Sequence, residues 1–388
     1  MFNKKLFQEK LEHSIDLLQK AEKLALMYDK QDGFYLTFSG GKDSQALYHV
    51  AKMAGVKFKG HMSLTSVDPP QVIRFVKRQY PDVELIKPKM SMFDKAIERG
   101  ILPTMRVRWC CADFKESAGA GKVTLIGVRA AESARRAKRN EVEVKGRKFS
   151  GDLEGFDAWS QAEIEKKLSK TKRKVNEDEF SVKTDNEVRC INGKDSILIS
   201  PIFKWTEDDV WYFLNEIVNV PHCELYDMGY SRIGCILCPM SNKKSKQRDI
   251  KMFPHVKRGW IRAIKAIRSG GGISHTEQIR TPLHVGTILR NSNVDSDYQP
   301  QSGDFGGIRW TGTDNPGLIL TRRIIRKFFD SPSQQVNWGG QDEPSEDEIA
   351  EAIFDWWMSG KSYRQWFSDK YCQQKLFNQP LTDDNDYV

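Results

Sequence analysis

At 388 residues, 39% hydrophobic and 29% charged, the chain can bury a sizeable core as one large domain with additions or as two domains. No apolar run approaches the roughly 18 residues of a membrane span, and the first 28 residues, with acids on an amphipathic pattern, do not read as an export signal. A formal net charge of +9 suits anionic ligands, nucleotides as well as nucleic acid. Seven cysteines without an export signal point to a reducing, cytoplasmic compartment, where paired cysteines hold metal or do redox work rather than form disulfides.

In chain order, Met1 to Tyr28 reads as a surface helix with its apolar face through Leu6, Leu11, Ile15, Leu18 and Ala25. Phe34 to Phe38 reads as a buried strand ending in Ser39-Gly40-Gly41-Lys42-Asp43-Ser44, and a helix follows until Gly55 stops it. A strand that turns into a helix through glycines exposes backbone N–H groups at the helix start. That is an anion site, to which Lys42 adds a point charge. The spacing is not Walker A, which needs four residues between its first Gly and its Gly-Lys. The bland reading, a tight turn beside a solvated lysine, is weaker because strand, motif and helix coincide.

Val56 to Leu64, Val83 to Ile86 and Val123 to Val128 read as further strands, with a helix over 71–79 opened by Asp68-Pro69-Pro70. Strands alternating with helices predict an α/β fold with a doubly wound, largely parallel sheet. Ligands of such sheets collect at strand carboxyl ends, where the Ser39 loop, the Asp68 turn and Arg129 all fall. Residues 135–194 are rich in Lys, Glu, Asp and Ser and read as a charged surface insertion. Order returns at Ile197 to Ile202, and Thr206 caps a helix with Glu207, Asp208 and Asp209 in its first turn. Trp205 and Trp211 read as core.

Beyond Met240 a basic run extends from Lys243 to Arg268. It is either an ordinary solvated helix face, the reading preferred, or a docking surface for tRNA or DNA. Residues 269–388 read as an α-rich appendage whose clearest element is a helix begun by Ser345 and Glu348, a capping box. The expected organisation is therefore an N-terminal helix over 1–30, a nucleotide-binding domain from 31–134 and 195–268, the insertion over 135–194, and the appendage.

Cysteines supply the second source of chemistry. Adjacent Cys110 and Cys111 do not bridge each other without strain, and Cys235-x-x-Cys238 presents two sulfurs to one point. Four thiolates from two loops suit tetrahedral zinc or a [4Fe-4S] cluster, and spacing alone does not choose. The alternative makes Cys110 and Cys111 small buried hydrophobes and Cys235 and Cys238 a redox pair. Cys190 and Cys223 read as structural, and His49 and His61 as packing or surface residues.

The order of these motifs resembles the phosphoadenosine phosphosulfate reductase family, within the superfamily of N-type ATP pyrophosphatases. The resemblance runs through the Ser39 loop, Asp68-Pro69-Pro70, Arg108-Trp109-Cys110-Cys111 with Lys115, Gly127 to Ser133, Pro201 to Trp205 and Gly234 to Pro239, about residues 25 to 250. It implies the adenine nucleotide alpha hydrolase-like fold and a loop, Ser39 to Ser44, that takes the pyrophosphate of ATP with Mg2+. It further implies Asp68 and Arg129 near the nucleotide, a [4Fe-4S] cluster on Cys110, Cys111, Cys235 and Cys238, and Lys115 between cluster and substrate. Lys42, Asp43, Lys115 and Arg129 are the candidate catalytic residues.

Two departures from the reductases matter. This chain keeps the Gly-Gly-Lys that sulfonucleotide reductases lack, and its only late cysteine, Cys372, has neither Gly nor His beside it. The combination is closer to the iron–sulfur enzyme of DNA phosphorothioation. The expected function is ATP cleavage at the α-phosphate to activate an acceptor in sulfur-related chemistry, with a sulfur donor or redox protein as partner. The alternatives are a sulfonucleotide reductase using Cys372, a tRNA or DNA thiolation enzyme, and a non-catalytic nucleotide sensor.

Overall fold

A computed structural model describes residues 2–116, 119–145, 149–172, 195–269, 345–361 and Trp366. In chain order the strands are β1 Phe34–Thr37, β2 Phe58–Ser63, β3 Glu84–Ile86, β4 Val123–Leu125, β5 Val142–Lys145, β6 Phe149–Gly151 and β7 Ser196–Ile199. The α-helices are α1 Lys4–Tyr28, α2 Lys42–Ala54, α3 Pro70–Gln79, α4 Met92–Arg99, α5 Trp109–Cys111, α6 Ala134–Ala137, α7 Leu153–Lys172, α8 Glu207–Tyr212, α9 Lys243–Met252, α10 Pro254–Arg268 and α11 Glu346–Ser359. The chain divides into two compact units, one of residues 1–88 and 111–235, the other of 89–110 and 236–388. Of the three junctions, two fall inside the cysteine motifs, between Cys110 and Cys111 and between Cys235 and Ile236, and the third lies between Pro88 and Lys89.

The first unit is the α/β body that the alternation of strands and helices predicts. Its sheet runs β3-β2-β1-β4-β7-β5-β6, with the first five strands parallel. Parallel strands joined by helices are covered on both faces, and β1, β4 and β7 accordingly bury Phe34, Leu36, Val123, Leu125, Ile197 and Ile199. Helix α2 lays Ala46, Leu47, Val50 and Ala51 into this core, and Gly55 at φ +70° ends it in the left-handed conformation. Helix α1 packs on α2 and buries Phe7, Leu11, Leu18, Ala21 and Ala25, with Phe7 against Trp205 and Phe213, whereas Leu6 is exposed. The buried stripe is thus rotated slightly from the one expected, toward Phe7, Leu17 and Ala21.

Within the charged stretch, the described residues 135–145 and 149–172 differ from the expected surface excursion. Val142 and Val144 point inward from β5, which pairs antiparallel with β7, and β6 adds the edge. Alternation of Val with Glu143 and Lys145 makes one face of this strand apolar and the other solvated, so composition alone concealed it. Phe156 of α7 is buried and meets Phe149 edge-on at 5.7 Å. Cys190 lies outside the described residues. Trp205 is buried as expected, but Trp211 is only partly so, its ring edge-on to Tyr226.

In the second unit, α10 buries Val256, Trp260, Ile264 and Ile267 against α4 and α11. Gly259 permits the α4 contact, since a Cβ there would lie 2.6 Å from Phe93 Cζ. Helix α11 has the expected Ser345–Glu348 capping box and buries Ile353, Phe354 and Trp357. Its acids Glu346, Asp347 and Glu351 pair with Arg268, Lys265 and Lys257. Part of the expected basic face is therefore neutralised, and part of the expected appendage is core to this unit. Cys372 lies outside the described residues.

Candidate functional site

The loop after β1 is shaped by three local facts. Gly40 sits at φ +73°, and a Cβ there would lie 2.7 Å from Val72 Cγ1 and 2.9 Å from Val76 Cγ2, so α3 packs directly on loop backbone. Ser44 Oγ donates to Gly41 O at 2.8 Å and accepts from Ser39 N at 3.2 Å, which ties both ends of the loop together. Gly41, extended at φ −85°, is the N-cap of α2 and offers no side chain. The N–H groups of Gly40 and Gly41 have no acceptor among the described residues. They stand at the positive end of a 13-residue helix, a suitable seat for phosphate oxygens.

Lys42 is buried. Its ammonium donates to Ser231 O at 3.1 Å and lies 3.5 Å from Glu207 Oε1. Its backbone N–H donates to Tyr226 Oη at 2.8 Å. From the sequence Glu207 reads only as a helix-start acid, and Tyr226 and Ser231 carry no motif. Nothing local marks them, because the contacts cross 184 and 189 residues.

Asp43 and Arg129 meet at the same strand ends. Arg129 Nε donates to Asp43 Oδ1 at 2.7 Å, and its Nη1 to Trp205 O at 3.5 Å. Arg129 is 3% exposed, so its guanidinium is held inside the body and braces the first turn of α2. Gly127 allows β4 to approach there, a Cβ on it falling 3.1 Å from Asp43 O.

A second cluster gathers around Lys115. Its ammonium donates to Cys235 Sγ at 3.3 Å, and Thr65 Oγ1 lies 3.5 Å from the same sulfur. Asp68 Oδ2 accepts from Thr65 N at 2.5 Å and so shapes the turn after β2. Desolvation favours the neutral amine, but the charges of Cys235, Asp68 and Cys111 outweigh it and hold the Lys115 pKa above the ordinary lysine value. Two of the four candidate ligands, Cys111 and Cys235, thus bear on one cation. Within the second unit, Leu237 between Cys235 and Cys238 adopts φ +55°, and its N–H donates to the buried Asp249 Oδ2 at 2.9 Å.

The donor chemistry of four thiols fits a [4Fe-4S] cluster or Zn2+. As placed, no group of three or more Cys, His, Asp or Glu among the described residues is close enough to hold a metal ion. Cys223 is buried, in keeping with a structural part. His61 is buried and stacked on Tyr35, and His49 is half-buried beside Tyr80, as packing residues would be. No helix among the described residues is long and apolar enough to cross a membrane.

Comparison with known proteins bears on the same segment. The family model for the phosphoadenosine phosphosulfate reductase domain matches residues 33–241. An uncharacterized protein of Methanocaldococcus jannaschii is 24% identical over 262 residues, 66% of this chain and 53% of that protein. An adenosine 5'-phosphosulfate reductase of Oceanobacillus iheyensis is 49% identical over 43 residues, 11% of this chain and 18% of the reductase. The chain spans about half or less of the curated relatives it matches. A crystal structure of phosphoadenylyl-sulfate reductase from Candida auris aligns at 17% identity and a TM-score of 0.34, covering 61% of this chain and 96% of the other.

Proposed function

The chain belongs to the phosphoadenosine phosphosulfate reductase family, and from that premise we propose that it binds ATP with Mg2+ on the Ser39 to Ser44 loop and cleaves it at the α-phosphate. The observation that carries this reading is the loop itself. An intact Gly-Gly-Lys stands at the start of α2, with the N–H groups of Gly40 and Gly41 unengaged within the described residues and Lys42 buried beside them. A site built for a sulfonucleotide has no pyrophosphate to cradle, whereas this one keeps the means to do so.

In this reading an acceptor oxygen attacks the α-phosphorus, the bond to the α,β-bridging oxygen breaks, and pyrophosphate leaves as the adenylated acceptor forms. The loop N–H groups and Lys42 neutralise the charge that develops on the leaving pyrophosphate. Asp43 helps hold the metal-bound phosphates, and Arg129 fixes Asp43 and the first helical turn in the orientation required. Lys115 presents a cation beside Cys235 for the acceptor or its sulfur. When bound by Cys110, Cys111, Cys235 and Cys238, a [4Fe-4S] cluster would supply electron or sulfur chemistry, and Zn2+ a fixed electrophile.

The test is exchange of labelled pyrophosphate into ATP by purified protein, with metal analysis and a visible spectrum of the anaerobic preparation. Exchange that Lys42→Ala abolishes supports the reading, and ATP bound without any turnover makes the chain a nucleotide sensor. The second reading is sulfonucleotide reduction, favoured by the reductase relatives and by the Lys115–Cys235 contact. It requires thiol-dependent sulfite release from adenylyl sulfate, without exchange.

A further inference from the structure

Tyr226 touches the loop at the Lys42 backbone N–H, in the first turn of α2, and has no part in the mechanism above. Its hydroxyl accepts from Lys42 N–H, and its oxygen stands 3.3 Å from where a Cβ on Gly41 would lie. The ring is held edge-on by Trp211 at 5.1 Å and His222 at 6.0 Å, and the Lys42 ammonium lies 5.7 Å from its centroid. A phenol that accepts one hydrogen bond still has its own proton to give. Among the described residues that proton has no acceptor. Burial holds the Tyr226 pKa above the ordinary tyrosine value, so the proton is in place at neutral pH. An oxygen polarised by the positive end of a helix is also a stronger donor than a free phenol.

We propose that Tyr226 is a phosphate-binding residue, its O–H donating to an oxygen of the pyrophosphate-bearing ligand and carrying the first donor of α2 one bond farther out. This rests on the reading of the Ser39 loop as a polyphosphate site. It adds a specificity element, because the O–H rewards a ligand with phosphate oxygens over the loop and does nothing for a bare nucleoside. The residue sits in Cys223-Glu224-Leu225-Tyr226, twelve residues before Cys238 and outside every glycine or lysine motif, which is why the motif pattern does not reveal it.

The experiment is calorimetric titration of the full chain and of Tyr226→Phe with Mg2+-pyrophosphate, ATP and adenosine. Phe keeps the ring contacts and removes only the hydroxyl. Affinity for pyrophosphate and ATP is expected to fall about tenfold, the worth of a hydrogen bond to a charged group, with adenosine binding unchanged and the melting temperature lowered by a few degrees because the Lys42 N–H loses its acceptor. Equal affinity overturns the proposal. Tighter binding also overturns it and makes Tyr226 an occupant that the ligand must push aside. Should Tyr226→Phe fail to fold, Tyr226→Met, which also lacks the hydroxyl, is titrated in its place, and the same outcomes decide: weaker pyrophosphate binding supports the proposal, equal or tighter binding overturns it. Failure of the unaltered chain to bind ATP or pyrophosphate overturns the reading of the loop instead.

Discussion

Arg129 reaches from the end of β4 to the first turn of α2, its Nε donating to Asp43 Oδ1 at 2.7 Å with only 4% of its side chain exposed. The pair joins two adjacent parallel strands' carboxyl ends, where the α/β architecture places ligands. A buried guanidinium without its carboxylate is costly, and so is the empty space its removal leaves. Arg129→Ala is therefore expected to lower stability by about 3 kcal/mol, read by urea unfolding. Asp43→Asn keeps an acceptor for Nε and is expected to cost less than half as much. No measurable cost for Asp43→Asn would show that Arg129 serves packing alone.

Lys42 holds its position by donating to Ser231 O and lying near Glu207. Removing it takes a point charge from the polyphosphate seat while leaving the helix start intact. Lys42→Ala is expected to weaken ATP binding by about two orders of magnitude, the effect of losing a buried ammonium that meets phosphate. Lys42→Arg is expected not to restore it, since the planar fork does not fit a space shaped for a compact ammonium. Full ATP affinity in Lys42→Ala would remove the basis of the proposed function.

Gly40 makes a third test, of backbone rather than charge. At φ +73° an Ala is strained, and its methyl would meet Val72 and Val76 below 3.0 Å. Gly40→Ala is expected to cost about 1–3 kcal/mol and to abolish ATP binding, because the loop must move away from α3. Gly40→Ala with Val72→Ala relieves half of the clash but not the dihedral strain, and is expected to recover part of the stability without the binding.

Much of this was readable in the residues themselves. The β1 run, the helix ended by Gly55 and the caps at Thr206 and Ser345 follow from local rules, and the structure contains them. The Ser39 loop was legible because its chemistry is contiguous. Tyr226 and Ser231 were not, since their relation to Lys42 exists only after the chain folds back across more than 180 residues. β5 is hidden in the sequence for a different reason. Val142 and Val144 alternate with charged residues, and the surrounding charge density obscured a four-residue signal. The pairing of α11 with α10 likewise needs both helices in view, because neither charge run says what faces it.

His49 links stability to pH. Its ring is half-buried beside Tyr80, 3.1 Å from the phenol oxygen, and burial with the nearby Lys52 charge pushes its pKa down to about 4. Asp82 opposes the shift and loses. The unfolded chain binds a proton near pH 6.5 that the folded chain refuses, so stability is full above that pH and falls as pH drops toward about 4. Urea midpoints measured between pH 7.5 and 4.5 are expected to decline more steeply for the native chain than for His49→Gln. Parallel declines would assign the acid sensitivity to other groups.

The acids of α11 answer the bases of α10. Arg268, with 8% of its side chain exposed, donates to both carboxylate oxygens of Glu346 at 3.0 and 3.2 Å, while Lys257 reaches Glu351 at 2.6 Å and Lys265 pairs with Asp347. Surface pairs of this kind contribute little singly, and a row of them more. Replacing Glu346, Asp347 and Glu351 together with Ala is expected to destabilise the second unit by about 1–2 kcal/mol at low salt, an effect that shrinks at 1 M NaCl as the charges are screened. It also removes these acidic partners from Lys257, Lys265 and Arg268 and raises the net positive charge of the second unit. Retention of the triple variant on immobilised nucleic acid is therefore expected to rise above that of the native chain and to elute at higher salt. Unchanged elution would show that those three cations add nothing to polyanion binding even without their acids, which favours the solvated-face reading.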